Sequence, residues 1–359
     1  MMATTEHLDS QPIPAGYEHL EDQELQRVQV FNDAISQVSK ICVSTVELDL
    51  ESEHPTDEAI VRFRTYDAGE EPTFFISEGL AQSSFLASEN LSFEPRVSRG
   101  GKSTHHGVFF GNLRVGADQL IPVAVKPHET NPIDSCLRDY LNNDAVQKLG
   151  FYTPESVGYI ISGTENEKTA YSLSLLDETL TTLEGINWSD FFPDTTQNPG
   201  MQEIWREVSQ QIAIIHAHGN MSHGDLAPRN IATSAEGGVF IIDWEKANLS
   251  LAPVTDTKVS LLRSHSDLSI LLESMCRPTH VKFKTGIGLF YGKDGDWWQG
   301  FCDIFFDEYC EVRRMEASTG TKPRQGGKQR LDEVEDELAK LTEMLKEDIQ
   351  MYQETCATL

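Results

Sequence analysis

Positive charge is what this sequence has least of. Its 359 residues carry 29 Lys and Arg against 57 Asp and Glu, a formal net charge of −28. Such a field repels phosphate backbones and anionic membrane surfaces, which sets aside general binding to either. Cysteine is also sparse: Cys42, Cys136, Cys276, Cys302, Cys310 and Cys356 are isolated, with no CxxC pair among them. A disulfide framework or a zinc site needs tighter spacing, so reduced thiols are expected. No run approaches the roughly 18 consecutive apolar residues of a spanning helix. The opening MMATTEHLDSQPIP has neither the basic start nor the apolar stretch of a signal peptide. A cytoplasmic protein is the expectation.

Half of the acidic excess lies in the first quarter, where residues 1–90 hold 18 acidic and 4 basic side chains. A solvated face accounts for it, and an acidic docking surface for a protein partner is the sharper alternative. Residues 1–22 read as a flexible tail. Leu25, Val28, Phe31, Ile35 and Val38 recur at helical spacing, and the short runs ICVSTVELDL, AIVRFRTY and TFFIS read as strands. Residues 23–90 are therefore an α+β segment. From Leu91, LSFEPRVS, GVFFGNLRV and IPVAVKP alternate with turns as an antiparallel meander, followed by a helix over 134–150 that Gly150 ends. After Gly200 the pattern is mainly helical.

The tail has its own character. A basic, Gly- and Pro-containing linker over 318–330 precedes Leu331, Val334, Leu338, Leu341 and Leu345, a heptad seam over 331–355. That amphipathic helix packs on its own domain, dimerises or takes a partner helix. Arg313, Arg314, Lys322, Arg324, Lys328 and Arg330 balance the acids beside them, so nucleic acid is not expected.

Gly101-Lys102-Ser103-Thr104 looks like the end of a phosphate loop, but the reading fails twice. Arg96 stands where the first Gly of that loop is required, and HHGVFFGNLRV continues as a strand where a helix is needed. Gly100, Gly101 and Gly107 lie instead in a turn between two strands.

The chemistry is carried by HGDLAPRNIATSAEGGVFIIDWEKA, His223 to Ala247. His-x-Asp, an Asn five residues after the Asp, then an apolar strand ending in a second Asp can converge Asp225, Asn230 and Asp243 on one point. Hard oxygen donors of this kind suit Mg²⁺, which takes one or two carboxylates and completes its shell with phosphate oxygens and water. HGDLAPRN and IIDWE resemble the catalytic loop and the metal-binding segment of the protein-kinase-like superfamily, which includes aminoglycoside and choline phosphotransferases and bacterial-type protein kinases.

The resemblance implies an α+β, two-lobed fold: an antiparallel-sheet small lobe over 91–178 and a helical large lobe over 179–317. It implies ATP and Mg²⁺ as cofactors, Asp225 as the residue that accepts or orients the acceptor proton, and Asn230 and Asp243 as metal ligands. His223 would brace backbone. Lys126, closing the strand PVAVKPH, would neutralise the ATP phosphates, with Asp144 as its acidic partner on the next helix and Asp139 as the alternative. Gly100, Gly101 and Gly107 would lie over the phosphates, Leu176 would sit near the adenine, and Asp267 in SDLSILLESM would tie back to the catalytic loop.

Three departures bear on the acceptor. Gly224 replaces the Arg that grips a phosphorylated activation loop in many protein kinases. Ala227 stands at a position where many Ser/Thr kinases carry Lys, with Arg229 available as a substitute. Only 24 residues separate Asp243 from Asp267, too few for a full activation segment. HGD and DWE resemble small-molecule phosphotransferases, whereas SDLSILLESM resembles protein kinases. The expected activity is transfer of the γ-phosphate to a protein Ser/Thr hydroxyl. The alternatives are a small-molecule hydroxyl kinase and a nucleotide-binding scaffold without turnover.

Overall fold

The computed structural model describes residues 22–37, 40–43, 72–76, 91–95, 107–115, 119–148, 150–164, 167–177, 179–185, 199–217, 221–235, 237–249, 257–277, 287, 289–290, 296–319 and 330–357. The expected strand AIVRFRTY, the N-terminal tail, the turn holding Gly100 and Gly101, and most of the basic linker lie outside them. Two compact units divide the chain, the first taking the described residues up to Tyr140 and Glu155–Leu176, the second Leu141–Pro154 and the chain from Asp177 onward. A sheet-bearing unit and a helix-rich unit make this the α+β architecture expected.

In the first unit, helix α1 (Asp22–Ser36) packs on a seven-stranded sheet. Its strands are β1 (Lys40–Val43), β2 (Thr73–Ile76), β3 (Leu91–Pro95), β4 (Phe109–Val115), β5 (Gln119–His128), β6 (Ser156–Thr164) and β7 (Glu167–Leu175). The order is β1-β2-β6-β7-β5-β4-β3, antiparallel except for β1 on β2. Thus α1, β1 and β2 are built into the same sheet unit as the meander that follows them.

Period-two alternation explains the two faces. Ile121, Val123 and Val125 are buried, whereas Pro122, Ala124 and Lys126 are half-exposed. The buried set meets α1, where the Phe31 ring lies 5.1 Å from Phe93, 5.4 Å from Phe109 and 4.9 Å from Tyr171 in edge-on contacts. The opposite face takes the first half of α2 (Pro132–Lys148), whose Tyr140 ring sits 5.2 Å from that of Tyr159. Gly150, at φ +89°, ends α2 in the left-handed C′ position. Its N–H donates to the carbonyl of Gln147 and that of Phe151 to Val146.

The second unit contains α3 (Pro199–Ala217), α4 (Thr257–Cys276), α5 (Trp297–Phe301), α6 (Asp307–Ser318) and α7 (Leu331–Cys356). Short strands β8 (Thr181–Thr182), β10 (Ile231–Thr233) and β11 (Val239–Ile241) form one sheet, and β9 (Met221–Ser222) pairs with β12 (Asn248–Leu249). Trp205, Val208, Ile212 and Ile215 of α3 meet Leu268, Leu271, Leu272 and Met275 of α4 in one core. A π-helical turn, Cys302–Phe306, joins α5 to α6, and the Ser209 hydroxyl donates to the Phe305 carbonyl at 2.8 Å.

The heptad seam is used internally. Val334, Leu338, Leu341, Leu345, Ile349 and Tyr352 of α7 are buried in the core of this unit, while Leu331 is exposed. The basic residues beside it divide in the same way. Arg313 is buried against Glu337, whereas Arg314 pairs with Glu335 and Arg330 with Asp332 at the surface. Among the described residues, no helix is long and apolar enough to cross a membrane.

Candidate active site

The loop from His223 to Asn230 leaves β9 and enters β10 through a 3₁₀ turn, Pro228–Asn230. Gly224 makes the first bend at φ +76°, and a Cβ there would overlap the Lys246 carbonyl oxygen. Any side chain at 224 is therefore excluded twice, by conformation and by space. The Arg of many protein kinases has no place in this backbone.

The loop is held from below by one buried carboxylate. Asp267, fully buried on α4, accepts from the His223 N–H at 2.6 Å and the Gly224 N–H at 2.7 Å. His223 fixes the other side. Its Nδ1 accepts from the Asp225 N–H at 3.2 Å, so Nε2 carries the proton and donates to the Ile242 carbonyl at 2.9 Å. The expectation that His223 braces backbone matches these bonds, which leave neither ring nitrogen for base chemistry.

Asn230 and Asp243 are joined through the same residue. The Ile242 N–H donates to the Asn230 carbonyl at 2.9 Å, and the Asn230 Nδ2 donates to the Asp225 carbonyl at 2.8 Å. The Asn230 amide is thereby anchored to its own loop through Nδ2. Asp243 sits at φ 65°, ψ 63°, a left-handed conformation unusual for a non-glycine residue, with its side chain exposed. Asn142 of α2, which the sequence did not single out, donates from Nδ2 to the carbonyls of Trp244 at 2.8 Å and Ala247 at 3.2 Å. The turn after Asp243 is thus pinned from both ends.

Asp225 carries two cations. Its Oδ1 accepts from Arg229 at 2.7 Å and its Oδ2 from Lys246 at 2.9 Å. Burial opposes ionisation, but the bonds and charges of Lys246 and Arg229 outweigh it and hold the carboxyl below the usual Asp range. Asp225 is therefore an ionised acceptor over the neutral pH range. Because its folded pKa is depressed, activity that needs the carboxylate is lost only as pH falls through that low value. Lys246→Met removes one stabilising charge, so the acid limb of the rate profile should move to higher pH. A limb that stays in place would show that Lys246 does not act on Asp225.

In the sheet unit, Lys126 Nζ lies 3.8 Å from the Asp139 carboxylate. Asp139 also accepts from the Ser172 hydroxyl at 2.6 Å, and Ser172 sits 3.0 Å from Nε2 of the buried His128. The cross-strand pairing of Lys126 with Ser172 sets this up, since both point to the face that α2 covers. Among the described residues Lys126 thus pairs with Asp139, the alternative the sequence offered; the side chain of Asp144, which the sequence favoured, lies outside them. Spacing along a helix of uncertain register could not separate two acids five residues apart. Gly107, at φ +83°, precedes β4, and the Leu176 N–H donates to the Pro122 carbonyl at 2.9 Å. Gly100 and Gly101 lie outside the described residues.

Comparison with known proteins bears on this arrangement. The model of the lipopolysaccharide kinase (Kdo/WaaP) family matches residues 138–274, a stretch that contains Asp139, Asp225, Asn230, Asp243 and Asp267. The chain is a kinase-like phosphotransferase. A solved structure described as WaaP in complex with acyl carrier protein is 16% identical over 73% of this chain and 93% of its own, with a TM-score of 0.38. No curated relative matches the sequence. In the kinase-like chain, Asp267 holds the structural position its motif implied, and Arg229 occupies the space beside Asp225. Lys246 and Asn142 had no motif to announce them, since the partners of their side chains, the Asp225 carboxylate and the Trp244 and Ala247 carbonyls, are brought to them only by the fold.

Proposed function

We propose that the chain transfers the γ-phosphate of ATP to a sugar hydroxyl on a small molecule or glycolipid, with Asp225 orienting the acceptor. The family match over 138–274 carries this reading, because it spans Asp225, Asn230 and Asp243 and belongs to kinases of a sugar-bearing lipid. It favours the small-molecule alternative over the protein Ser/Thr acceptor expected from the sequence. The Gly224 backbone supports the same choice, since it removes the side chain by which a phosphorylated activation loop would act.

An open groove of about 310 Å³ is lined by Ser222, Gly224, Lys246, Val259, Leu262 and Arg263 among others. It begins at the two neighbours of Asp225 and passes the exposed Val259 and Leu262. One polar, cationic end and one apolar wall suit an acceptor that joins a hydroxylated head to a hydrophobic part.

Asp243 and the Oδ1 of Asn230 are the oxygen donors that would hold Mg²⁺. Among the described residues no cluster of three or more His, Cys, Asp or Glu is placed to bind a metal. Two protein oxygens completed by phosphate and water are the usual Mg²⁺ arrangement. The metal, when bound, supplies charge neutralisation on the phosphate oxygens. Asp225 accepts the hydroxyl hydrogen bond and holds the acceptor oxygen in line. Little else is asked of the protein, because positioning and electrostatics account for most of phosphoryl transfer.

The test offers labelled ATP and Mg²⁺ with three acceptor pools: lipopolysaccharide and its core sugars, amino alcohols and aminoglycosides, and unfolded protein. Label in the first pool supports the proposal. Label confined to protein would overturn the sugar assignment, and ATP binding without transfer to any pool would favour a scaffold.

A further inference from the structure

Helix α7, the last of the chain, ends a buried line of polar groups that begins at the catalytic loop. Glu337 on α7 accepts from Arg313 NH2 at 3.1 Å and from the hydroxyls of Ser260 and Ser264 on α4. Arg313 NH1 donates to the Tyr309 hydroxyl at 2.8 Å, and that hydroxyl lies 2.9 Å from His216 Nδ1 on α3. His216 Nε2 lies 3.1 Å from Asp267 Oδ2, and Asp267 holds the His223 and Gly224 N–H groups. Arg313, Glu337, Tyr309, His216 and Asp267 are each no more than 2% exposed.

The direction of the outer bonds is fixed by chemistry. A guanidinium only donates, so the Tyr309 oxygen accepts from Arg313, and the Tyr309 hydroxyl shares a 2.9 Å bond with His216 Nδ1. A carboxylate only accepts, so His216 Nε2 donates to Asp267. The line thus runs between two buried carboxylates, Glu337 taking bonds from Arg313 and the two serines and Asp267 taking the bond from His216. Its members polarise one another in a dry interior. Stability alone does not call for this arrangement. A buried Arg–Glu pair is often no more stabilising than a well-packed apolar pair of the same volume.

We propose that Glu337 and Arg313 are positioning residues, through which α7 sets the placement of His223, Gly224 and Asp225 by way of Tyr309, His216 and Asp267. The kinetic consequence rests on the reading of Asp225 given above. The mechanical consequence does not.

Two variants separate positioning from folding: Tyr309→Phe, and the double replacement Arg313→Met with Glu337→Leu, which keeps the space filled. Arg314→Ala, which breaks the exposed Arg314–Glu335 pair between the same two helices, is the control. Urea unfolding, hydrogen exchange of peptides covering 221–227, and Mg²⁺-ATP consumption followed as ADP release are measured on the full chain. The double variant should unfold near the wild-type midpoint, while exchange over 221–227 quickens and kcat falls roughly tenfold with KM for ATP unchanged. Tyr309→Phe should behave alike, and the control like wild type. Unchanged exchange over 221–227 in both variants would overturn the proposal. So would faster exchange spread over the whole unit in step with a lowered midpoint, which is the mark of a merely structural role. If the wild-type chain consumes no ATP, the exchange data alone decide the matter, and the failure falls on the phosphotransfer reading instead.

Discussion

Asp225→Asn is expected to lower kcat for phosphate transfer by roughly 10³-fold, within the usual range for a positioned proton acceptor. The amide keeps the shape but removes the charge that Arg229 and Lys246 now hold. The protein should survive the change. Lys246 is largely exposed and the pair is screened by solvent, so the loss of stability should stay under roughly 1 kcal/mol. KM for ATP should also move little, because Asp225 acts on the acceptor. Steady-state kinetics with a thermal melt on the same preparation check all three. A variant with near-normal kcat would remove Asp225 from the mechanism.

Asp267→Ala should do the opposite and strike the fold first. The substitution leaves the His223 N–H, the Gly224 N–H and His216 Nε2 without their buried acceptor. Removing one side of a buried, fully hydrogen-bonded charged group costs about 3–5 kcal/mol. A urea titration should show a midpoint far below that of Asp225→Asn, and whatever folded protein remains should turn over slowly. A midpoint equal to wild type would mean that the loop finds its place without Asp267.

The contrast between these residues explains what the sequence disclosed. Asp225, Asn230, Asp243 and Asp267 were legible because their order and spacing are imposed by one local backbone path, a loop between two short strands followed by a helix. Lys126 was legible because it closes an apolar strand of period two. Its acidic partner was left between Asp139 and Asp144, since the two share a helix and lie five residues apart. The inclusion of β1 and β2 in the main sheet was equally hidden: strand order is a long-range property, and β2 lies beside β6, some eighty residues away. The seam of α7 showed its apolar face but not what covers it. The line from Glu337 to Asp267 joins residues from distant parts of the chain, a pattern without local period or motif.

The proposed reaction moves the γ-phosphate of ATP onto a hydroxyl. Phosphorus NMR of the protein with Mg²⁺-ATP and a lipopolysaccharide core-sugar acceptor tests it most directly. A phosphomonoester signal should grow as the γ-phosphate signal declines and ADP accumulates, and Asp225→Asn should leave the spectrum unchanged over the same time. A phosphomonoester appearing equally fast with Asp225→Asn, or ATP that stays intact with every acceptor offered, would contradict it.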